Sequence, residues 1–388
     1  MLSRNDGVID LAWGHPSDNL HPLNDLKPAI DAIFTNQEIS ALQYSGYQGY
    51  GPLIESLSQY LSEEKSYTKT INPEELYIGY GASHGLDLAC TLFTGEGNTV
   101  LVEEPSYYLV RQILIDHRLN IVGVPTDSEG MKIQNLEQII DSFKGDVKLL
   151  YLIPSFHNPM GSVMSLERRE KIIELAKEHD FLIAADEAYH LLYYGDPPPP
   201  TMATLDTSRT GCVVSLGSFS KILAPGIKLG WVQSKPNLGD KFTNSGSNFS
   251  GGNNNFAGAI VDIAIRKGIL SKHVTRLKNT YKSRMEIMSA ALKTHIPDAE
   301  FLMPQGGYYF WIKFPEEIDA MALEKLALNE GVTLRPGVAF SGQGLFPNYV
   351  RLCFALSDIE DITEGIHRLA QAYCKYIRGS FSTLVLPQ

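Results

Sequence analysis

Hydrophobic positions in this chain fall into short consecutive blocks separated by amphipathic stretches. Apolar runs at Asn98–Glu104, Val147–Ile153, Phe181–Ala185 and Gly211–Leu216, each bounded by turn residues, predict buried strands. Between them lie helical periods. One runs over Leu23–Phe34, with Asn24 or Asp25 near its cap, and one follows Pro52, with Leu53, Leu57, Tyr60 and Leu61 on one face. SLERREKIIELAKEHD predicts a helix capped by Ser165, with Ile172, Ile173, Leu175 and Ala176 facing inward and Arg168 and Arg169 outward. A long helical period covers 256–293, with a break expected near Gly268. Pro197–Pro200 reads as a stiff surface turn, and the Gly/Asn/Ser-rich segment 244–258 is the least regular stretch. Near the C-terminus GGYYFWIKF and NYVRLCFAL read as strands. There is no repeat and no heptad array. Strands alternating with helices predict an α/β protein.

The 388 residues suit two lobes rather than one small core, and 44% hydrophobic residues are enough to fill them. A net charge of −11, with the basic residues dispersed, argues against a nucleic-acid surface. Cys90, Cys212, Cys353 and Cys374 are too far apart for a zinc or redox motif and read as reduced, mostly buried thiols. No 18-residue apolar run and no N-terminal apolar core segment occurs, so no membrane partner and a cytoplasmic location are expected.

The chemistry centres on SLGSFSKILAPGIKLGW, residues 215–231, where Lys221 lies between Ser218, Ser220 and a Pro-Gly turn, with Lys228 seven residues on. A lysine carried from a strand end into a partly desolvated loop has a nucleophilic amine. The hydroxyls and second cation suit an anion such as phosphate. Alone, this stretch reads better as a surface turn with a solvated lysine. Gly81, Ala82, Ser83 and His84 lie where a strand turns into a helix, a place where backbone amides bind anions, although such junctions are common. Asp186 ends an apolar run, where an unpaired carboxylate is costly, and Tyr189 follows three residues later. Asn158-Pro159 makes a turn, Tyr107 ends a strand, and Arg351 sits in an alternating strand.

Taken in order, Asn158, Asp186, Tyr189 and the Ser-x-Ser-Lys ending at Lys221 resemble class I/II aminotransferases, the fold-type I pyridoxal-phosphate enzymes. The similarity is greatest to the branch that holds 2-aminoadipate and aromatic aminotransferases and the effector domains of MocR-type regulators. It runs from Gly14 to Arg351. Ile54, Ala82, His84, Met160 and Lys228 depart from the family pattern, the last replacing an arginine and giving up its bidentate fork.

The resemblance implies a large domain with a mostly parallel seven-stranded sheet flanked by helices, and a smaller α+β domain built from the N-terminal arm and the C-terminal part. The boundaries expected are 1–41, 42–280 and 281–388. It implies pyridoxal 5'-phosphate bound as a Schiff base on Lys221, with Asp186 on the pyridine nitrogen, Asn158 and Tyr189 on the phenolic oxygen, and Tyr107 stacked on the ring. Ala82, Ser83, His84, Ser218, Ser220 and Lys228 would hold the phosphate, joined by Tyr44 from a second subunit of a homodimer. Gly14, Asn158 and Arg351 would hold the substrate, Arg351 through its α-carboxylate, and no metal is implied. The activity implied is amino transfer between an L-amino acid and a 2-oxo acid. Relatives that prefer dicarboxylates carry a cation on the arm. Here the arm offers only His15 and His21 between Gly14 and Leu26, so a neutral or aromatic side chain is expected. A pyridoxal-dependent lyase or replacement enzyme is the alternative on this scaffold, since cofactor contacts do not decide the fate of the carbanion. A regulator's ligand-sensing domain is the third, and would call for a winged-helix segment ahead of residue 1.

Overall fold

In the computed structural model, residues 7–36, 38–143, 146–246 and 252–383 are described. The arm opens with a short strand, β1 (Ile9–Asp10). Then β2 (Leu76–Gly79), β3 (Thr99–Glu104), β4 (Asn120–Asp127), β5 (Gly130–Met131), β6 (Val147–Leu152), β7 (Leu182–Asp186), β8 (Val213–Ser218) and β9 (Gly230–Ser234) form one sheet, in the order β2-β9-β8-β7-β6-β3-β4-β5. The five strands from β8 to β4 are parallel, and β9 runs against both its neighbours. Seven strands were expected. The eighth is the two-residue β5, which folds back antiparallel on the end of β4.

Why the runs are apolar on consecutive positions is visible in their packing. Val100, Val102, Leu149, Tyr151, Leu182 and Ala184 enter one core cluster. Leu101, Leu150, Leu152, Ile183 and Ala185 enter another on the opposite face. A strand covered on both faces must be apolar at both parities, which is the signature of a parallel sheet between helices. Helix Leu166–His179 packs Ile172, Ile173, Leu175 and Ala176 into the second cluster, and Ser165 Oγ accepts from Arg168 N–H at its cap.

Three expectations about this region are corrected. Arg169 does not face outward. It is fully buried and donates to the carbonyls of Met164, Pro154, Pro199 and Pro200 and to Ser155 Oγ. The proline run is therefore tied to the core by its carbonyls, with Pro198 buried, rather than lying free on the surface. Arg168 is mostly covered as well and forks onto Asp127 at 2.6 and 3.0 Å. Of the four free thiols, Cys90 and Cys353 are buried, Cys212 is half-buried and Cys374 exposed, so half rather than most are buried.

The helical period over 256–293 is two helices, Asn255–Arg266 and Ile269–His295, separated by Gly268 at φ 68°. Only a residue without a Cβ takes that backbone conformation readily, which explains the break. Beyond them β10 (Glu300–Phe301), β11 (Tyr309–Lys313), β12 (Val332–Thr333), β13 (Arg335–Pro336) and β14 (Tyr349–Cys353) follow. All but β12 form an antiparallel sheet in the order β10-β11-β14-β13. β12 instead pairs in parallel with β1, matching Ile9 to Val332. Cys353 N–H donates to Leu11 O and Ser357 Oγ to Asp10 O, so the arm is stitched onto the C-terminal lobe. Among the described residues no helix is long and apolar enough to cross a membrane.

Candidate active site

The C-terminal ends of β3, β6, β7 and β8 open toward one crevice, where open α/β sheets place their ligands. Asp186 is the last residue of β7. Its carboxylate accepts from Tyr151 Oη at 2.9 Å and from Ala188 N–H at 3.2 Å. No cation among the described residues pairs with it. Burial raises its pKa, against the opposing pull of the Tyr151 hydrogen bond. Lys221 lies just beyond β8. Its Nζ donates to Gly14 O at 3.0 Å and stands 5.8 and 5.6 Å from the ring centres of Tyr189 and Tyr308. Burial lowers this amine to about 8, with the Asp186 charge working the other way. The lysine thus reaches its neutral, nucleophilic form much nearer physiological pH than an ordinary lysine does.

The opposite wall comes from the arm and the C-terminal lobe. Arg351, on β14, is buried. It donates from Nη1 to Asn158 Oδ1 at 2.8 Å and from Nη2 to Ala12 O at 2.6 Å. Its Nε has no partner, and no carboxylate among the described residues pairs with it. Its charge rests on the faces of Tyr309 and Phe340, 4.3 and 4.8 Å from the ring centres. A buried guanidinium without an anion is expensive, so the arrangement is that of a receptor for one. Because Asn158 Oδ1 is engaged by Arg351, the amide's N–H groups remain for a ligand.

Tyr309, on β11, links the two walls. Its hydroxyl bonds Tyr189 Oη at 2.9 Å, and a Cβ built on Gly14 would collide with that hydroxyl and stand 2.9 Å from its Cζ. Gly14 is therefore glycine because the phenol already occupies the space. Burial raises the phenol pKa of Tyr189 well above its ordinary value, and that of Tyr309 to about 12.

A third group of atoms forms a concavity at the start of helix Ala82–Phe93. Gly81 caps it at φ 105°, and a Cβ there would be 3.7 Å from Ser218 Oγ. Gly230 lies so close that its own Cβ would come within 2.6 Å of Gly81 Cα. Ser218 Oγ accepts from Ser220 N–H at 3.2 Å, and Ser218 is buried while Ser220 is half-buried. Backbone amides at a helix start beside a serine hydroxyl can hold an anion.

The structure therefore brings together Gly14, Asn158, Asp186, Tyr189, Lys221 and Arg351, and sets Ala82, Ser218 and Ser220 around one cradle. Tyr107 lies at the edge of this group, within electrostatic range of Asp186, Tyr309 and Arg351, and burial raises its phenol pKa. Four further expected residues take no part in the contacts given so far. His84 Nδ1 accepts from Tyr80 N–H at 3.3 Å, so this ring atom closes the turn before the helix. Ser83 and Lys228 are exposed, the latter at φ 53°. Tyr44 is 78% exposed. In segment 244–258, residues 247–251 lie outside the described residues, while Asn253 and Asn255 bond back to Ile78, Ser40 and Gln43. Tyr151 and Tyr309 do not stand out in the sequence. Tyr151 is the one side chain with a polar atom in VKLLYL, apart from the lysine, and that is the available signal.

A doubly wound sheet with a lysine amine, a buried carboxylate and an anion cradle at its strand ends defines a fold-type I pyridoxal-phosphate enzyme. The residues fit that cofactor: the Gly81 cradle suits its phosphate, and the cation-free Asp186 suits a protonated ring nitrogen. The chain belongs to the family "Aminotransferase class I and II", whose pattern it matches over residues 6–369. It is 32% identical to aromatic-amino-acid aminotransferase 1 of Thermococcus litoralis, over 95% of this chain and 89% of the relative. Among solved structures, the multiple substrate aminotransferase of Thermococcus profundus superposes with a TM-score of 0.88 at 31% identity, covering 97% of this chain and 93% of that one. The alpha-aminoadipate aminotransferase of Thermus thermophilus, complexed with N-(5'-phosphopyridoxyl)-L-leucine, gives 0.86 at 29% identity, covering 96% and 94%. The protein is a pyridoxal-phosphate-dependent aminotransferase.

Proposed function

We propose that this aminotransferase moves an amino group from an L-amino acid with a neutral or aromatic side chain to a 2-oxo acid, using Lys221 as the amine that anchors the cofactor and then moves the substrate's Cα proton. The observation that carries this reading is the Lys221 amine, held by Gly14 O between two tyrosine faces and depressed to about 8 by burial. When bound, pyridoxal phosphate supplies an aldehyde to capture the amino group and a ring to accept electrons from Cα. Asp186 would keep that ring's nitrogen protonated, since a buried carboxylate without a cation gains most from such a partner. Asn158 N–H groups and Tyr189 would face the phenolic oxygen. Gly81, Ala82, Ser83, Ser218, Ser220 and Lys228 would line the phosphate, and Tyr107 would cover the ring. Arg351 has three N–H donors left and would take the substrate carboxylate, turning the Cα–H bond toward Lys221. The similarity to an aromatic-amino-acid aminotransferase and the absence of an arm cation support the substrate preference.

The exposed apolar residues Leu23, Phe34, Ile39, Leu42, Tyr44 and Tyr47 crowd into one stretch of chain. This supports a homodimer in which Tyr44 completes the partner's phosphate site. Sedimentation showing an active, cofactor-loaded monomer would refute the dimer. We read the units as 1–41, 42–280 and 281–388. The central test mixes purified enzyme with a panel of amino acids that lack leaving groups and follows the cofactor spectrum. Neutral and aromatic members should convert the aldehyde form to the amino form, and a 2-oxo acid should restore it. If none does so, while a substrate bearing a leaving group yields ammonia, a lyase is the correct reading.

A further inference from the structure

The wall that carries Arg351 carries a second cation. Arg335, on β13, is the direct register partner of Arg351 on β14. Directly opposite residues of an antiparallel pair project from the same face, with Cβ atoms about 5 Å apart, and like charges placed so repel. Neither arginine has a carboxylate partner among the described residues. The Arg335 guanidinium instead lies between the aromatic rings of Trp13 and Tyr108, 5.5 and 5.7 Å from their centres. Its Nε is buried without a hydrogen-bond partner. Glu324 feels the charge of Arg335, but the two form no ion pair.

The position of this charge is set by the substrate wall. Trp13 precedes Gly14 and follows Ala12, whose carbonyl holds Arg351. Tyr108 follows Tyr107 and packs edge-on against Phe340, the ring on which Arg351 rests. Two guanidiniums that repel each other, one sandwiched between rings with its donors unspent, form a receptor for two negative groups on one ligand. Arg351 would take the α-carboxylate, so Arg335 is left for an acidic group further along the same molecule.

We infer that Arg335 is a specificity-determining residue that binds the distal carboxylate of a dicarboxylic substrate. This rests on the transaminase reading and extends it. The arm supplies no cation for such a substrate, but β13 does, from the lobe onto which the arm is stitched. The same site would then accept a neutral or aromatic amino donor, with its side chain against the Trp13 and Tyr108 rings, and a dicarboxylic 2-oxo acid as the returning partner.

The test uses holoenzyme and Arg335→Gln. The amino form is mixed with 2-oxoglutarate and with 2-oxopentanoate, its monocarboxylic counterpart of equal carbon count, and the aldehyde form with glutamate and norvaline. The ratio of kcat/KM for dicarboxylic over monocarboxylic substrate should fall about 10- to 100-fold in Arg335→Gln, the scale of one charge-assisted contact. A fall with the oxo acids alone assigns the contact to the acceptor, and a fall with both assigns it to acidic amino acids as well. Arg335→Lys keeps the charge but loses the planar fork, so its ratio should be intermediate. Calorimetric titration with unreactive glutarate against pentanoate gives a readout that needs no turnover, and glutarate should lose the same factor. An unchanged ratio and unchanged glutarate affinity, or equal losses for both ligands, overturns the role of Arg335. If no oxo acid restores the aldehyde, the transaminase reading fails, and the glutarate titration still judges Arg335.

Discussion

The two walls of the crevice are built in opposite ways. On the sheet side Asp186, Tyr189, Ser218 and Lys221 each lie at the end of a strand or a few residues past it, so chain order and spacing alone put them together. On the other side Gly14, Tyr309, Arg335 and Arg351 come from the arm and three strands of the C-terminal lobe, separated by up to 337 positions between Gly14 and Arg351. Their juxtaposition depends on register: Trp311 and Arg335 both pair with Arg351, on its two sides. The first wall concentrates the chemistry at few atoms. The second shares recognition among residues that hold one another. Loss of a single side chain should therefore be catastrophic on the first and graded on the second.

The largest effect is expected at Lys221. Lys221→Ala should lower the rate by at least about 10⁴-fold, as it removes the amine proposed both to anchor the cofactor and to carry the proton. Borohydride reduction of the wild type followed by peptide mapping should label Lys221, and label on another lysine would remove it from its role. Its pKa gives a second measurement, on the cofactor-free protein. Burial holds the folded amine at about 8 against 10.5 for an ordinary lysine. Between those values the unfolded chain binds more protons than the folded one, so stability should rise with pH across roughly pH 8–10.5. Lys221→Met should flatten that rise in denaturant titrations. An unchanged slope would mean that the amine titrates like a surface lysine.

On the second wall Arg351→Gln comes next. The loss should be about 10²-fold or more in kcat/KM, felt mainly in KM, because the α-carboxylate would lose the cation proposed for it while Lys221 and Asp186 stay in place. If kcat falls as far as it does in Lys221→Ala, the two walls are not separable as described.

How far each wall could be read from sequence depends on the same difference. Strands buried on both faces announce themselves as unbroken apolar runs, so the sheet and the residues at its ends were legible. The two-residue β5 carries no such run and was not. Arg169 shows a different failure. Positions 169, 172, 173 and 176 share one helical face, so the period points Arg169 inward while its charge argues for the outside, and here the period wins. What its burial required was a set of carbonyl acceptors, and these come from Pro154, Met164 and the 199–200 turn, which no local pattern reveals. Arg335 was invisible for a related reason. Its meaning lies in standing opposite Arg351 and between Trp13 and Tyr108, and only the folded register creates that relation.

The smallest effect is also the most discriminating. Tyr309 touches both walls, through the Tyr189 hydroxyl on one side and the Arg351 guanidinium and Gly14 on the other. Tyr309→Phe keeps the ring under Arg351 but removes the hydroxyl, leaving Tyr189 Oη short of a partner. That should cost about 1 kcal/mol of stability and a few-fold in rate. Gly14→Ala alone should cost more, since its Cβ would overlap the Tyr309 hydroxyl and something must shift. Combining the two removes the worst contact, although the ring carbon Cζ at 2.9 Å still crowds the methyl. The double variant should therefore be more stable than the sum of the single losses predicts, by about 0.5 kcal/mol or more, and should recover part of the activity lost in Gly14→Ala. Strict additivity in both stability and rate would show that the arm and β11 do not bear on each other through this hydroxyl, and the second wall would have to be described as independent parts.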